Sequence, residues 1–389
     1  MINKNTFLRD HEERSFVQET EFLNFLNERT LSDEWATMPS EFVSIRGVEN
    51  APIAVPTLIP DIKGYEGTED GLKEAMEEYG LLLSFFDSDK QSFRCLPLRE
   101  IAISSLFERA GLSGRILREQ GETSIPSEKK AEWLSYALKH WDKQECRLLL
   151  RDGKISTCRS AKYVPLDTVS LIKTTYNALP DECHFENASV THEMTSVELT
   201  YGSEQGDMEV MDDIHNMFGI TATEVRRYVK FYTSDTGDAA ATLIPYLEVD
   251  GCPLPLGNPF KMVHSRGASI GKWEKLLGGV SAMFREAMNT MKNLYVSLTD
   301  PASVLRYGAC EVGLPKAPSL KFAKEWEAEL AANPGSVTAY DVFRKLSELI
   351  EKVEANTHPN LGSKLRVREN VARFITQKFS DVDFHFEWE

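Results

Sequence analysis

The sequence predicts an α+β protein with an antiparallel β-sheet core at about residues 145–250, flanking helices and a helical C-terminal region. A β-hairpin pattern centres on Asp152-Gly153, a dipeptide that suits the positive φ angles of a tight type I′ turn. After residue 300, apolar side chains recur at helical spacing between residues that commonly begin and end helices. Alternating or apolar runs typical of strands follow the hairpin at 189–201, 223–233 and 239–249.

The chain is expected to have three parts. Residues 1–60 form an acidic N-terminal region with one amphipathic helix, and they end in a proline-rich segment, 51–60, that favours a linker. Residues 61–300 form the α+β core domain. Residues 301–389 form a helical C-terminal region that ends in an acidic tail, either a solvated edge strand or a mobile segment.

Composition limits the class of protein. Of the 389 residues 42% are hydrophobic, which is enough for a folded core rather than a disordered chain. No window approaches 18 uninterrupted apolar residues and the first residues lack the apolar run of a signal peptide, so we expect a cytoplasmic protein without a membrane partner. The six cysteines are scattered without a Cys-x-x-Cys pair, which favours reduced thiols, and no metal or cofactor is expected.

Helices are predicted on both sides of the hairpin. Two short ones at 98–110 and 113–119 flank a glycine, a pattern that suits either a DNA-binding helix-turn-helix or an ordinary helical hairpin. Asp167 or Thr168 begins a helix directly after the hairpin. The acidic stretch 203–213 is expected to be a loop. Further helices are predicted at 69–79, 127–142, 270–298, 300–305, 320–332, 338–355 and 363–379.

Charge is unevenly distributed along the chain. The formal net charge is −16, and residues 1–90 hold 8 basic against 19 acidic side chains. Residues 91–178 reverse this balance, with 15 basic against 10 acidic side chains around the hairpin. A basic block in an acidic protein is a candidate contact for an anionic partner such as nucleic acid.

The strand at 223–233 interleaves cations and aromatic rings on one face. A groove for single-stranded nucleic acid needs this combination, because cations follow the phosphates and rings stack on the bases. The alternative is an amphipathic strand whose tyrosines pack under a helix and whose cations pair with carboxylates. In the first case the predicted phosphate contacts are Arg147, Arg151, Lys154, Arg159, Lys162, Arg226 and Lys230, and the predicted stacking residues are Tyr163, Tyr228 and Tyr232.

A second candidate anion site is the turn before the helix predicted at 270–298. Arg266, Gly267 and Ser269 precede the unpaired amides of that helix, where phosphate binds readily, and His264 stands beside them. The segment has neither a P-loop nor a dinucleotide-binding glycine pattern. His264 has no local carboxylate or nucleophile as a partner, so a structural histidine is the alternative to a general base.

Three segments of the chain share a family resemblance. The first holds Arg147, Asp152-Gly153, Ser160, Lys162-Tyr163, Pro165 and Asp167. In the second, 258–275, a strand ends at a His-x-Arg-Gly-type turn before a long helix, and the third, 337–350, is an element of Asp, aromatic residue and helix. Together they resemble a phage- and plasmid-associated protein family of unknown function, in patches over roughly residues 93–375. Where relatives show a Cys-x-Asn-Gly turn, this chain has Met262-Val263-His264-Ser265.

No catalytic constellation is evident, which favours a binding protein over an enzyme. The leading hypothesis is a phage-type DNA-metabolism protein that binds single-stranded DNA as a homo-oligomer, in annealing or recombination. One alternative is an acidic interaction protein that presents residues 1–60 as a DNA-like surface to a basic host protein. The other is a purely structural oligomer.

Overall fold

The computed structural model describes residues 6–10, 12–48, 62–112, 125–140, 145–179 and 183–388. These residues confirm the α+β prediction, because antiparallel sheets are followed by a C-terminal region made of helices. The proline-rich segment 51–60 and the helix predicted at 113–119 lie outside the described residues. None of the described helices is both long and apolar enough to cross a bilayer.

The strands form one large and two small antiparallel sheets in the described part of the chain. They are, in chain order, β1 (Arg14–Phe16), β2 (Glu34–Pro39), β3 (Ser44–Gly47), β4 (Leu81–Asp87), β5 (Ser92–Pro97), β6 (Glu145–Arg151), β7 (Lys154–Ser160), β8 (Cys183–Val190), β9 (Thr195–Tyr201), β10 (Val225–Thr233), β11 (Ala241–Val249), β12 (Cys252–Pro255) and β13 (Phe260–Met262). The large sheet has the order β1-β8-β9-β10-β11-β12, and β13 pairs with the first residues of β11. The small sheets have the orders β2-β6-β7 and β3-β4-β5.

The helices cover the sheets and make up the C-terminal region. They are α1 (Glu19–Ser32), α2 (Glu69–Glu78), α3 (Glu100–Arg109), α4 (Ser127–His140), α5 (Thr168–Ala178), α6 (Glu204–Phe218), α7 (Ile270–Leu277), α8 (Val280–Arg285), α9 (Ala287–Leu294), α10 (Pro301–Glu311), α11 (Lys316–Ala332), α12 (Ala339–Thr357), α13 (Leu361–Phe374) and α14 (Phe379–Val382). The main apolar core joins the inner face of the large sheet to the helices from α7 onward.

The predicted hairpin is present as β6 and β7. Asp152 and Gly153 adopt φ angles of 52° and 74°, as the turn requires, and Arg151 pairs with Lys154 across it. Asp167 caps α5, because its carboxylate accepts a hydrogen bond from the Ser170 amide at 2.8 Å. The local sequence signal therefore identified this unit correctly.

Strands from the acidic N-terminal region predicted at 1–60 pair with strands of the rest of the chain. β1 pairs with β8, β2 pairs with β6, and β3 pairs with β4. Each of the three sheets thus takes a strand from the first 47 residues. Removing these residues would expose sheet edges and apolar surface, so they cannot act as an independent module.

Three predicted elements differ from the structure. The run 189–201, predicted as one strand, contains the last two residues of β8, the connection to β9 and β9 itself. The stretch predicted as an acidic loop is α6, which Ser203 caps and which Gly219 ends at a φ of 69°. The helix predicted at 270–298 is divided into α7, α8 and α9, and the first break falls at Gly278-Gly279. Glycine weakens a helix interior, and apolar periodicity alone does not register such a break.

The acidic tail is packed against the C-terminal helices. Asp383 accepts hydrogen bonds from the backbone amides of Thr299 and Asp300, at 2.8 and 3.0 Å. The rings of Phe384 and Phe386 lie 5.6 and 5.4 Å from the ring of Tyr307. The tail is therefore neither a strand nor a loose segment up to residue 388.

Candidate functional site

The end of β6 meets the loop between β10 and β11 in a group of charges made of two buried arginines and two half-buried carboxylates. Arg151 donates two hydrogen bonds to the carboxylate of Asp33, at 2.6 and 2.5 Å, and one to Asp235 at 2.7 Å. Arg29 of α1 lies 3.4 Å from the same Asp235 oxygen. We call Arg29, Asp33, Arg151 and Asp235 the ionic core, because they join the large sheet to the β2-β6-β7 sheet.

The ionic core keeps its charges despite burial. Burial raises the pKa of Asp235, but the charges of Arg29 and Arg151 outweigh it and lower the pKa to about 2. Burial and the neighbouring charge of Arg151 lower the pKa of Arg29 to about 10. Arg151 is 2% exposed, so it cannot reach a phosphate on a nucleic acid. This corrects its prediction as a phosphate contact.

The other cations of the hairpin also have internal partners. Lys154 is buried and lies 2.5 Å from the carboxylate of Glu74. Arg159 donates to the Thr236 carbonyl at 2.6 Å and to Asp238 at 2.9 Å. Burial rules out Lys154 as a phosphate contact. The guanidinium of Arg159 is bound to the β10–β11 loop through these two hydrogen bonds. The guanidinium of Arg147 donates to the Tyr163 carbonyl at 2.8 Å, which fixes the exit of the hairpin.

The cation and ring face of β10 lies under a helix. Tyr228 and Tyr232 are buried against residues of α13 and of β11, and the hydroxyl of Tyr232 donates to Glu369 at 2.9 Å. The Tyr228 ring stacks on Tyr246, with centroids 4.8 Å apart. No ring face is left for a base, so the stacking prediction for both tyrosines is corrected in favour of the alternative, a strand packed under a helix.

The cations of this face pair with carboxylates of neighbouring strands. Arg226 lies 3.1 Å from Glu198 and 3.2 Å from Glu248. Lys230 lies 3.7 Å from Glu198, and burial lowers the pKa of its ammonium group. The predicted groove therefore does not form on β10, although the period-two alternation was correct.

The exit of the hairpin meets the turn before α7. Val164 donates a backbone hydrogen bond to the His264 carbonyl at 3.1 Å, and the Tyr163 ring stacks on the His264 ring with centroids 5.5 Å apart. The contact unites two segments that the sequence marked separately as candidate anion sites. Lys162 and Arg266 each lie two residues from the bonded pair, and both side chains are exposed.

Lys162, Arg266 and Lys272 form what we call the basic surface. All three are exposed, and none of their side chains has a hydrogen-bonding or ionic partner among the described residues. Lys272 lies in the first turn of α7, where its amide donates to the hydroxyl of Ser269 at 3.2 Å. Gly267 adopts a φ of 91° and leaves the turn open beside Arg266.

Two predicted members of this region have structural roles. His264 is buried, its Nε2 lies 3.0 Å from the Thr233 hydroxyl, and burial lowers its pKa. Tyr163 is buried as well and donates to the Asp235 carbonyl at 2.8 Å. The predictions that His264 contacts phosphate and that Tyr163 stacks on a base are therefore corrected, because neither side chain is accessible.

A cleft beside α13 holds charged residues that the sequence did not assign to a site. Lys261 of β13 lies at its edge, with Arg366 and Arg373 on the helix wall and Glu369 between them. The spacing of 366, 369 and 373 indicates one helix face. No local signal in the sequence shows that Lys261, more than a hundred residues before Glu369, contacts the Glu369 carboxylate.

Within the described residues, no group of three or more His, Cys, Asp or Glu side chains is placed to hold a metal ion. The six cysteines are free thiols. Burial raises the pKa of Cys183 to about 12 and that of Cys252 to about 11, which keeps both protonated and poor nucleophiles at neutral pH.

Comparisons with protein-family models, with curated proteins and with solved structures gave no match. The resemblance to phage- and plasmid-associated proteins therefore stays a prediction.

Proposed function

We propose that this chain binds single-stranded DNA through the phosphates, at the basic surface formed by Lys162, Arg266 and Lys272. The observation that supports the proposal is the hydrogen bond between Val164 and the His264 carbonyl, which joins the turns that carry Lys162 and Arg266. Lys272 follows in the first turn of α7. A cation that contacts a phosphate displaces counterions condensed on the DNA, which makes exposed cations a source of binding free energy. The three residues are exposed and unpaired within the described structure.

The proposal is limited to backbone contacts. The three candidate stacking tyrosines are buried, so binding is expected to depend little on base sequence. A flexible single strand can follow two adjoining turns, whereas a duplex is stiff over so short a path. A homo-oligomer would repeat the surface along one strand, as annealing or recombination requires.

Fluorescence anisotropy of a labelled oligonucleotide tests the proposal. The triple variant Lys162→Glu/Arg266→Glu/Lys272→Glu is expected to lose at least about tenfold in affinity for single-stranded DNA, because repulsion replaces three phosphate contacts. Affinity of the unchanged protein should fall steeply between low and physiological salt. A duplex of the same sequence should bind more weakly.

The matched control is Lys316→Glu/Lys321→Glu/Lys324→Glu on α11, which makes the same charge change at exposed positions in the helical C-terminal region. It should bind as the unchanged protein does. Equal loss of affinity in both triple variants would mean that the change in net charge, and not the basic surface, causes the loss. Binding that is insensitive to salt would overturn the proposal.

The acidic interaction hypothesis stays a prediction, and it needs a different test from deletion of residues 1–60. Several N-terminal carboxylates are engaged internally: Asp33 pairs with Arg151, Glu34 with Arg94, and Asp10 with Arg99. Deleting residues 1–60 would also remove a strand from each sheet, so that deletion cannot report on a partner. The purely structural oligomer stays a prediction.

A further inference from the structure

The cleft beside α13 has the size of a small-molecule site. Its volume is about 480 Å³, and its lining comes from α13, β13, the loop that leads into β11 and the turn between β8 and β9. Ligand pockets commonly measure about 300–1,000 Å³. Charged residues line its two walls, with cations on the helix side and Glu193 and Asp238 opposite.

Two cations converge on one carboxylate oxygen at the helix wall. Lys261 Nζ lies 2.6 Å from Oε1 of Glu369, and the Arg373 guanidinium donates to the same oxygen. The other oxygen of Glu369 accepts from the Tyr232 hydroxyl at 2.9 Å. Two positive charges therefore share a single negative one.

Glu369 is suited to hold these cations rather than to bind a ligand. Its side chain is 11% exposed, and all the described contacts of its carboxylate are with Lys261, Arg373 and Tyr232. Burial raises its pKa, but the hydrogen bonds from Lys261 and Tyr232 outweigh burial and lower the pKa below its usual value. Glu369 is thus an ionised positioning residue beneath the cleft.

Arg366 adds a third cation one turn earlier on α13. It lines the cleft, is exposed, and has no ionic or hydrogen-bonding partner among the described residues. On the opposite wall, Asp238 is already paired with Arg159 at 2.9 Å. The helix wall therefore carries an excess of positive charge, and the facing wall offers acceptor oxygens.

We propose that this cleft binds a phosphomonoester of mononucleotide size, with the phosphate against Lys261, Arg366 and Arg373. A guanidinium forms paired hydrogen bonds to phosphate oxygens, and a third cation matches the third oxygen. Hydroxyl or amino groups of the sugar or base would donate to Glu193 and Asp238. None of these residues belongs to the basic surface, so the site stands independently of the proposed DNA binding.

Isothermal titration with three probes tests the site: deoxyadenosine monophosphate, deoxyadenosine and inorganic phosphate. The nucleotide should bind more tightly than inorganic phosphate, and the nucleoside should not bind. The variant Arg366→Ala should weaken nucleotide binding by about tenfold or more, as loss of a charge-assisted contact implies. Because the Arg366 side chain is exposed and unpaired in the described structure, the variant should have the melting temperature of the unchanged protein.

The control variant is Arg344→Ala, which removes an exposed arginine of α12 outside the cleft and should bind the nucleotide normally. A 5′-phosphorylated oligonucleotide, compared with its unphosphorylated form, shows whether the phosphate comes from a free nucleotide or a strand end. Absence of phosphate and nucleotide binding, or equal weakening by both variants, would overturn the site. Arg366→Ala should leave anisotropy with unphosphorylated DNA unchanged, which separates this site from the basic surface.

Discussion

The basic surface and the β10 face contain the same kinds of residue in different surroundings. On β10, Arg226 lies within 4 Å of Glu186, Glu198 and Glu248. On the basic surface, Lys162 has no such neighbour among the described residues. Whether a cation is free to contact a phosphate therefore depends on the carboxylates that neighbouring strands place beside it.

The cause lies in strand register. β10 is a central strand, and its cations stand directly opposite acidic residues: Lys230 faces Glu198 on β9, and Arg226 faces Glu248 on β11. Opposite charges at facing positions stabilise a sheet. Lys162 and Arg266 lie in turns, where no paired strand supplies a carboxylate.

The largest expected effect separates the buried cations from the exposed ones. Arg151→Ala should lower the free energy of unfolding by about 3–5 kcal/mol, because it leaves the half-buried carboxylates of Asp33 and Asp235 without the guanidinium that contacts both. Lys162→Ala should change it by less than about 0.5 kcal/mol. Urea unfolding followed by circular dichroism measures both, and similar values for the two variants would contradict the distinction.

Local chemistry was predictable where one segment determines the structure. The Asp152-Gly153 turn and the capping of α5 by Asp167 follow from neighbouring residues, and both are present. The pairing of β2 with β6 places Asp33 beside Arg151, more than a hundred residues away. Alternation on β10 showed which side chains share a face, but it carried no information that α13 covers that face.

The same long-range contacts limited prediction of the site. Lys162 and Arg266 were each marked as candidates from composition and turn chemistry, and their adjoining position depends on the Val164–His264 hydrogen bond. Lys261 and Glu369 gave no signal of their 2.6 Å contact. Charge and spacing thus identify candidate residues, while tertiary structure decides which of them remain accessible.

A second prediction uses pH to separate buried from exposed histidines. Burial and the charge of Arg99 lower the pKa of His192 to about 3, from 6.5. The unfolded chain therefore takes up a proton as pH falls below 6.5, while the folded chain does not, so stability is lost in that direction. Between pH 7 and pH 5, His192 alone should lower the free energy of unfolding by about 1–2 kcal/mol.

The comparison variant is His192→Leu, which should remove that part of the pH dependence whatever its stability at pH 7. His140→Leu is the control, because His140 is exposed. Urea unfolding at pH 7, 6 and 5 gives the slope for each protein. The surroundings of His192 include Asp10 at 3.7 Å and Glu193 at 3.3 Å. An unchanged slope in His192→Leu would mean that these carboxylates keep the histidine protonated in the folded state.

The smallest effect bears most directly on the comparison between the two cationic regions. Each cation that contacts a phosphate contributes about 0.7 to the slope of log affinity against log salt for a single strand. Lys162→Ala should lower the slope by about that amount, whereas Arg226→Ala should leave it unchanged because its charge is already paired with Glu198 and Glu248. Anisotropy titrations at four salt concentrations resolve this difference. A reduced slope in Arg226→Ala alone would place the DNA on the β10 face and require α13 to move away from it.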